Sequence, residues 1–145
     1  MFISHIGNLL DPWIGKQSRS DPVTHLATLM TRELTPSLYG VAQAGSAAIG
    51  HAGAYSFGLF GLGLQTRQNL ASTRFGIEAL LGAAGGGGVA VGGGAVLQAE
   101  AWAAWAFGDS DRLRLRAGFG QWRSLRGASQ SSPLLNLSLG YGFGT

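Results

Sequence analysis

The sequence predicts an all-β fold, an antiparallel transmembrane β-barrel or part of one, with about seven or eight strands. Three observations point there. From about Tyr39 onward, apolar residues alternate with polar or small ones, the period of a strand with two unlike faces. The alternating segments run to roughly ten residues, a length that crosses a bilayer when tilted. Charged residues make up only 12% of the chain against a usual ~25%. Glycine supplies 25 of 145 residues, well above its usual ~7%. Low charge with dispersed hydrophobicity suits neither an ordinary soluble domain nor a disordered chain.

Residues 1–20 read as an N-terminal segment: Met1 to Leu10 as one extra strand, Trp13 to Ser20 as a polar connection. MFISHIGNLLDPWIG lacks the basic start and unbroken apolar run of an export signal, so the chain reads as mature, truncated or the tail of a longer frame. Residues 21–145 read as the barrel. Asp21-Pro22 is a helix-start signal, yet VTHLATLMTREL also fits a strand closed by Thr35-Pro36, and we read it as a strand. SLYGVAQAGSAAIG is a further strand of ambiguous facing, and AYSFGLFGLGLQ one whose phase slips between Leu59 and Phe60. TRFGIEALLGA sets Phe75, Ile77, Ala79 and Leu81 against Arg74, Gly76, Glu78 and Gly82, with Leu80 an exception on the polar side. Two glycine runs around Val89-Ala90-Val91 form the next connection.

AVLQAEAWAAWAF has good helix propensity. Its flanks favour a strand with Gln98, Glu100 and Trp102 on the inner face, and Gly108-Asp109-Ser110-Asp111 is the turn after it. RLRLRAGFG alternates Arg112, Arg114 and Arg116 with Leu113, Leu115 and Ala117, and Trp122 and Leu125 then break the phase, suggesting a bulge or loop. In PLLNLSLGYGFGT, Leu135, Leu137, Leu139, Tyr141 and Phe143 share one face, and Asn136, Ser138 and the glycines the other.

A lipid-facing Arg at mid-bilayer costs about 2–4 kcal/mol, which assigns the charged parity to the interior. Arg74, Glu78, Glu100, Arg112, Arg114 and Arg116 therefore form a candidate interior charge cluster. Pairing across the Gly108–Asp111 turn brings Glu100 near Arg116, so the expectation is an interior plugged by ion pairs; the alternative is a wider pore lined by unpaired charge. With the last strand running downward, Tyr39, Phe75, Trp105 and Phe107 fall at the lower rim and Tyr55, Phe57, Phe119 and Trp122 at the upper one, a candidate aromatic girdle. Arg123 and Arg126 lie at the upper rim, where lipopolysaccharide phosphates are a candidate partner alongside the outer-membrane lipids.

Leu135 to Phe143 resemble the C-terminal insertion signal of Gram-negative outer-membrane β-barrels: Asn136, Tyr141 and Phe143 match, and Ser138 stands where glycine is usual. GAAGGGGVAVGGGA followed by Arg-alternating strands looks like the barrel of helical-repeat polysaccharide exporters. The resemblance implies residence in the cell outer membrane, recognition by the barrel-assembly machinery, and work as a pore, export conduit or membrane anchor.

The rival readings are a soluble or secreted glycine-rich all-β domain and an outer-membrane lipid-modifying enzyme. For the latter, His51 lies near Ser46 and Ser56, but no acid is nearby in sequence, and no enzyme is expected. His5, His25 and His51 show no metal-ligand spacing, there is no cysteine, and no metal or cofactor is expected. Nine of the ten basic residues are Arg, five of them between Arg112 and Arg126; because they alternate with apolar residues, they read as a strand face and not as a nucleic-acid site.

Overall fold

A computed structural model describes residues 2–9, 23–49, 56–67, 72–85, 94–108, 112–125 and 131–142. These residues form β-strands and their connections, with no helix among them. The strands are β1 (Phe2–Leu9), β2 (Val23–Glu33), β3 (Leu38–Ile49), β4 (Ser56–Gln65), β5 (Thr73–Gly85), β6 (Ala95–Phe107), β7 (Leu113–Ser124) and β8 (Ser131–Tyr141). Each pairs antiparallel with its sequence neighbour, so β2 to β8 make one continuous sheet. β1 pairs with both β2 and β8, from Phe2↔Met30 and Phe2↔Tyr141 to Leu9↔Val23 and Leu9↔Leu134, and closes the sheet into a barrel.

The register also sets the tilt. A path from Phe2 through Met30, Ala42, Phe60, Leu81, Leu97, Arg123 and Ser131 returns to the line of β1 displaced by about ten residues. Eight strands ~4.8 Å apart, with ~3.3 Å per residue, then lean about 40° from the barrel axis. An eight-stranded barrel of this kind has an interior just wide enough for side chains to fill.

The connections differ between the two ends. The strand ends Glu33 and Leu38, Gln65 and Thr73, and Phe107 and Leu113 lie at one end, called here the short-turn end because four to seven residues of sequence separate each pair; at the other, the long-loop end, successive strand ends are six to thirteen residues apart in sequence. The β2–β3 turn is held by the Thr35 hydroxyl oxygen, which accepts from the backbone N–H of Leu38 at 3.0 Å and of Ser37 at 3.3 Å. The β4–β5 connection, the longest of the three, is drawn in by Thr66 N–H donating to Phe75 O at 2.8 Å, while Thr66 Oγ1 accepts from Phe75 N–H at 3.0 Å.

Alternation of burial runs unbroken through β4 to β8. Two expected irregularities are absent. In β4, Phe57 and Leu59 face inward and Phe60, Leu62 and Leu64 outward, so the phase does not slip at Leu59–Phe60. In β7, Trp122 keeps the inward parity of Arg116 and Gly118, and Leu125 keeps the outward one; there is no bulge. A large apolar side chain on the inner face looks like a phase error only if the interior is assumed polar throughout. Leu80, the exception to polar parity on β5, has no exposure at all and packs inside with Leu29, Val41, Val96 and Leu134.

Described outward positions are mainly apolar or small, with Gln121 a larger uncharged polar exception. Leu62, Ile77, Phe119, Leu135, Leu137 and Leu139 are all more than half exposed. Among the described outward strand positions only Arg32, near the short-turn end of β2, and Arg123, near the long-loop end of β7, carry charge.

Candidate functional site

The barrel puts three charged side chains in contact at its centre. Glu78 on β5 and Glu100 on β6 are direct register partners, an arrangement in which two like charges repel. Arg116 on β7 offsets that repulsion. Its Nη2 lies 2.6 Å from Glu78 Oε1 and 3.1 Å from Glu100 Oε1, and all three side chains are almost wholly buried.

Uncharged partners complete the site. The Tyr39 hydroxyl on β3 donates to Glu78 Oε2 at 2.6 Å and accepts from Trp102 Nε1 at 2.7 Å. The Trp102 ring also lies under the Arg116 guanidinium, 4.5 Å from Cζ to the ring centroid, a cation–π contact in a desolvated setting. Asn136 Nδ2 on β8 donates to Glu100 Oε2, and Gln98 Nε2 donates to Gln43 Oε1 at 3.2 Å. Residues from β3, β5, β6, β7 and β8 are thus tied together across the interior. Arg116 Nε and Asn136 Oδ1 are buried without a hydrogen-bond partner among the described residues, a cost the network carries.

Glycine makes the room these side chains need. Gly63 is the register partner of Tyr39, and a Cβ there would sit in the Tyr39 ring; Gly76, partner of Trp102, is covered by the indole in the same way. A Cβ on Gly118 would collide with the Glu100 carboxylate. Among Leu29, Gln43, Glu78, Glu100, Arg116, Asn136 and Ser138 the remaining space is too tight for a water molecule.

The six residues expected as one charge cluster therefore separate. Glu78, Glu100 and Arg116 form the triad. Arg74 sits at the short-turn mouth instead, with Nη1 2.8 Å from Glu33 Oε1, which also accepts from Gln65 Nε2 at 3.1 Å. Arg112 is exposed and Arg114 half-buried near the same mouth. The reason is strand position: Arg112 and Arg114 precede Arg116 by four and two residues on β7 and end below the triad.

The aromatic girdle also needs correction. Tyr39, Phe57 and Trp122 point inward and are buried, because each shares parity with an inner-face residue of its own strand. Phe75, Trp105, Phe107 and Phe119 point outward and are exposed. Phe75, Trp105 and Phe107 lie toward the short-turn end, near outward Tyr141, so the described outward aromatics do not sort evenly to two rims. Tyr55 lies outside the described residues. Of the residues resembling an insertion signal, Asn136 and Ser138 are buried inside and Tyr141 is exposed outside; Phe143 lies outside the described residues.

Tyr39, Gln43 and Asn136 are network members that charge alone does not pick out. A signal for Tyr39 was available: Gln43 is the one large polar residue of β3, it marks the inner parity, and Tyr39 shares it. Gln65 marks the inner parity of β4 for Phe57 in the same manner.

Ser46 and Ser56 are register partners on the outer surface, and His51 lies outside the described residues. No group of acidic and histidine side chains suited to a metal ion occurs among the described residues. No family model matches the sequence, and no curated protein or solved structure matches it.

Proposed function

We propose that the chain is an outer-membrane β-barrel with a closed interior, working as a membrane anchor and not as an open pore or export conduit. The observation that carries this reading is the sorting of side chains. A closed barrel turns Leu62, Ile77, Phe119, Leu135, Leu137 and Leu139 outward and the Glu78–Arg116–Glu100 triad inward. Contiguous exposed apolar surface beyond a few hundred Å² marks a membrane or protein contact, and here it belongs to strands of ten to thirteen residues in β2 to β8. Among the described strand residues, charge on the outward face is confined to Arg32 and Arg123, near opposite ends, where polar headgroups would meet them.

The closed interior separates anchor from pore. A channel needs a continuous wet path, whereas the space among Leu29, Gln43, Glu78, Glu100, Arg116, Asn136 and Ser138 leaves no room for water, and Tyr39 and Trp102 are hydrogen-bonded beside it. In the outer-membrane setting, β8 with Asn136, Ser138 and Tyr141, together with Phe143 just after it in sequence, would be what the barrel-assembly machinery meets. The test is folding into lipid vesicles followed by planar-bilayer recording. Heat-modifiable gel mobility with no steady conductance is expected. A stable conductance from the unmodified chain contradicts the closed interior, and a detergent-independent monomer in water contradicts the membrane reading.

A further inference from the structure

The short-turn end of the barrel is a mouth set with cations. Arg74 and Arg114 belong to the inward rows of β5 and β7 there, and Arg67 and Arg112 extend the inward parity of β4 and β7 by two residues beyond Gln65 and Arg114. Glu33 on β2 is the one carboxylate among the described residues at this end; Asp109 and Asp111 lie outside them. Glu33 engages Arg74 at Nη1 and feels the charge of Arg114, while Arg74 Nη2 is left without an ion pair among the described residues. Arg67 and Arg112 are exposed, and their side chains make no ion pair or hydrogen bond among the described residues. Arg67, Arg74 and Glu33 meet the β2–β3 turn, Leu34 to Pro36, around a cleft of about 350 Å³.

We infer that this mouth docks an acidic peptide segment of a partner protein, with one carboxylate side chain held in the cleft by Arg67 and Arg74 and another met by Arg112. The inference goes beyond the membrane reading. It gives an anchor something to hold, and it needs only that the mouth meet water, whatever surrounds the wall. Guanidinium and carboxylate match in charge and in their forked geometry. The cleft has room for an Asp or Glu side chain and not for a folded element. Eight strands ~4.8 Å apart, leaning about 40°, make a ring about 16 Å across. Six extended residues reach about 20 Å, so one short segment spans the mouth. An anionic lipid headgroup is the poorer occupant. The four cations follow the inward parity, over the mouth, whereas the lipid-facing parity carries Arg32 at this end. Arg32 is therefore the control.

The protein is folded into uncharged detergent micelles, and binding of fluorescein-labelled hexaglutamate is read by fluorescence polarisation, with hexaglutamine as the reference peptide. Hexaglutamate is expected to bind and hexaglutamine not, with the difference lost in high salt as screening requires. Arg67→Gln and Arg112→Gln each weaken binding about threefold, the worth of one exposed ion pair. Glu33→Gln tightens it about threefold by removing the carboxylate that competes for Arg74, a sign that damage to the fold does not produce. Arg32→Gln leaves binding unchanged. Equal binding of the two peptides overturns the docking site. So does a loss in Arg32→Gln equal to that in Arg67→Gln, or a Glu33→Gln protein that binds no more tightly. Displacement of hexaglutamate by an equal concentration of inorganic phosphate overturns the peptide as occupant. A chain that stays monomeric in water without detergent and still binds hexaglutamate contradicts the membrane reading and leaves the docking site standing.

Discussion

The two halves of the barrel interior are filled by different chemistry. Toward the long-loop end, Phe57, Leu59, Leu80, Val96, Trp122 and Leu134 pack as a mainly apolar core beside buried Gln98, Ser124 and Ser132, and His25 meets the Phe57 ring edge-on at 5.1 Å. Toward the short-turn end, Tyr39, Glu78, Glu100, Trp102, Arg116 and Asn136 form a network of ion pairs and hydrogen bonds. The same strands build both. On β5 the change from Glu78 to Leu80 takes two residues, and on β8 so does the change from Asn136 to Leu134. The two fillings impose different demands on strand register. A one-residue slip turns a strand inside out and harms both halves. A two-residue slip keeps each face and mainly rearranges apolar packing, which is non-directional. Only the network, with donors and acceptors at fixed distances, strongly penalises that slip. The apolar half therefore fills the barrel, and the polar half fixes which barrel it is.

Substitutions in the two halves sharpen that contrast. The largest effect is expected for Arg116→Ala, which leaves Glu78 and Glu100 buried and opposed; urea unfolding of the folded barrel should show a loss of about 3–5 kcal/mol. Combining Arg116→Met with Glu78→Gln and Glu100→Gln should restore most of that loss, since removing a whole buried ionic group is far less harmful than removing one member. Leu80→Ala in the apolar half should cost about 3 kcal/mol through the cavity it leaves, with the barrel otherwise unchanged by circular dichroism. Tyr39→Phe removes both a donor to Glu78 and the acceptor of Trp102 Nε1, and a loss of about 2 kcal/mol is expected in the same unfolding series. A Leu80→Ala loss equal to that of Arg116→Ala, with no rescue in the triple variant, would erase the distinction between the halves.

Much of the fold was legible because alternation survives wherever the inner face is polar or small. In β7 and β8, Arg116, Asn136 and Ser138 stand out against Leu115, Leu135 and Leu137, and the facing follows directly. The encounter of Glu100 with Arg116 could be anticipated from the turn between β6 and β7. The engagement of Glu78 by the same guanidinium could not, because it depends on the rotamer of Arg116 and not on register. Apolar inner residues were the main obstacle. Leu80 looked like an exception, Trp122 like a broken phase and Phe57 like a rim aromatic, because hydrophobicity alone does not distinguish an outer wall from a dry interior core. The glycines were legible as abundance, but Gly63, Gly76 and Gly118 acquire a reason only when Tyr39, Trp102 and Glu100 are placed over them.

The central claim is that adjacent β8 side chains face opposite environments, oil and a sealed interior. It is tested most directly by single Leu135→Cys, Asn136→Cys, Leu137→Cys, Ser138→Cys and Leu139→Cys variants folded into vesicles. Each is challenged with a water-soluble thiol reagent and, separately, with a membrane-soluble thiol-reactive fluorophore and brominated lipid. Labelling and lipid quenching at positions 135, 137 and 139, with positions 136 and 138 resistant to both reagents, is the expected result. Rapid reaction of positions 135, 137 and 139 with the water-soluble reagent would contradict it.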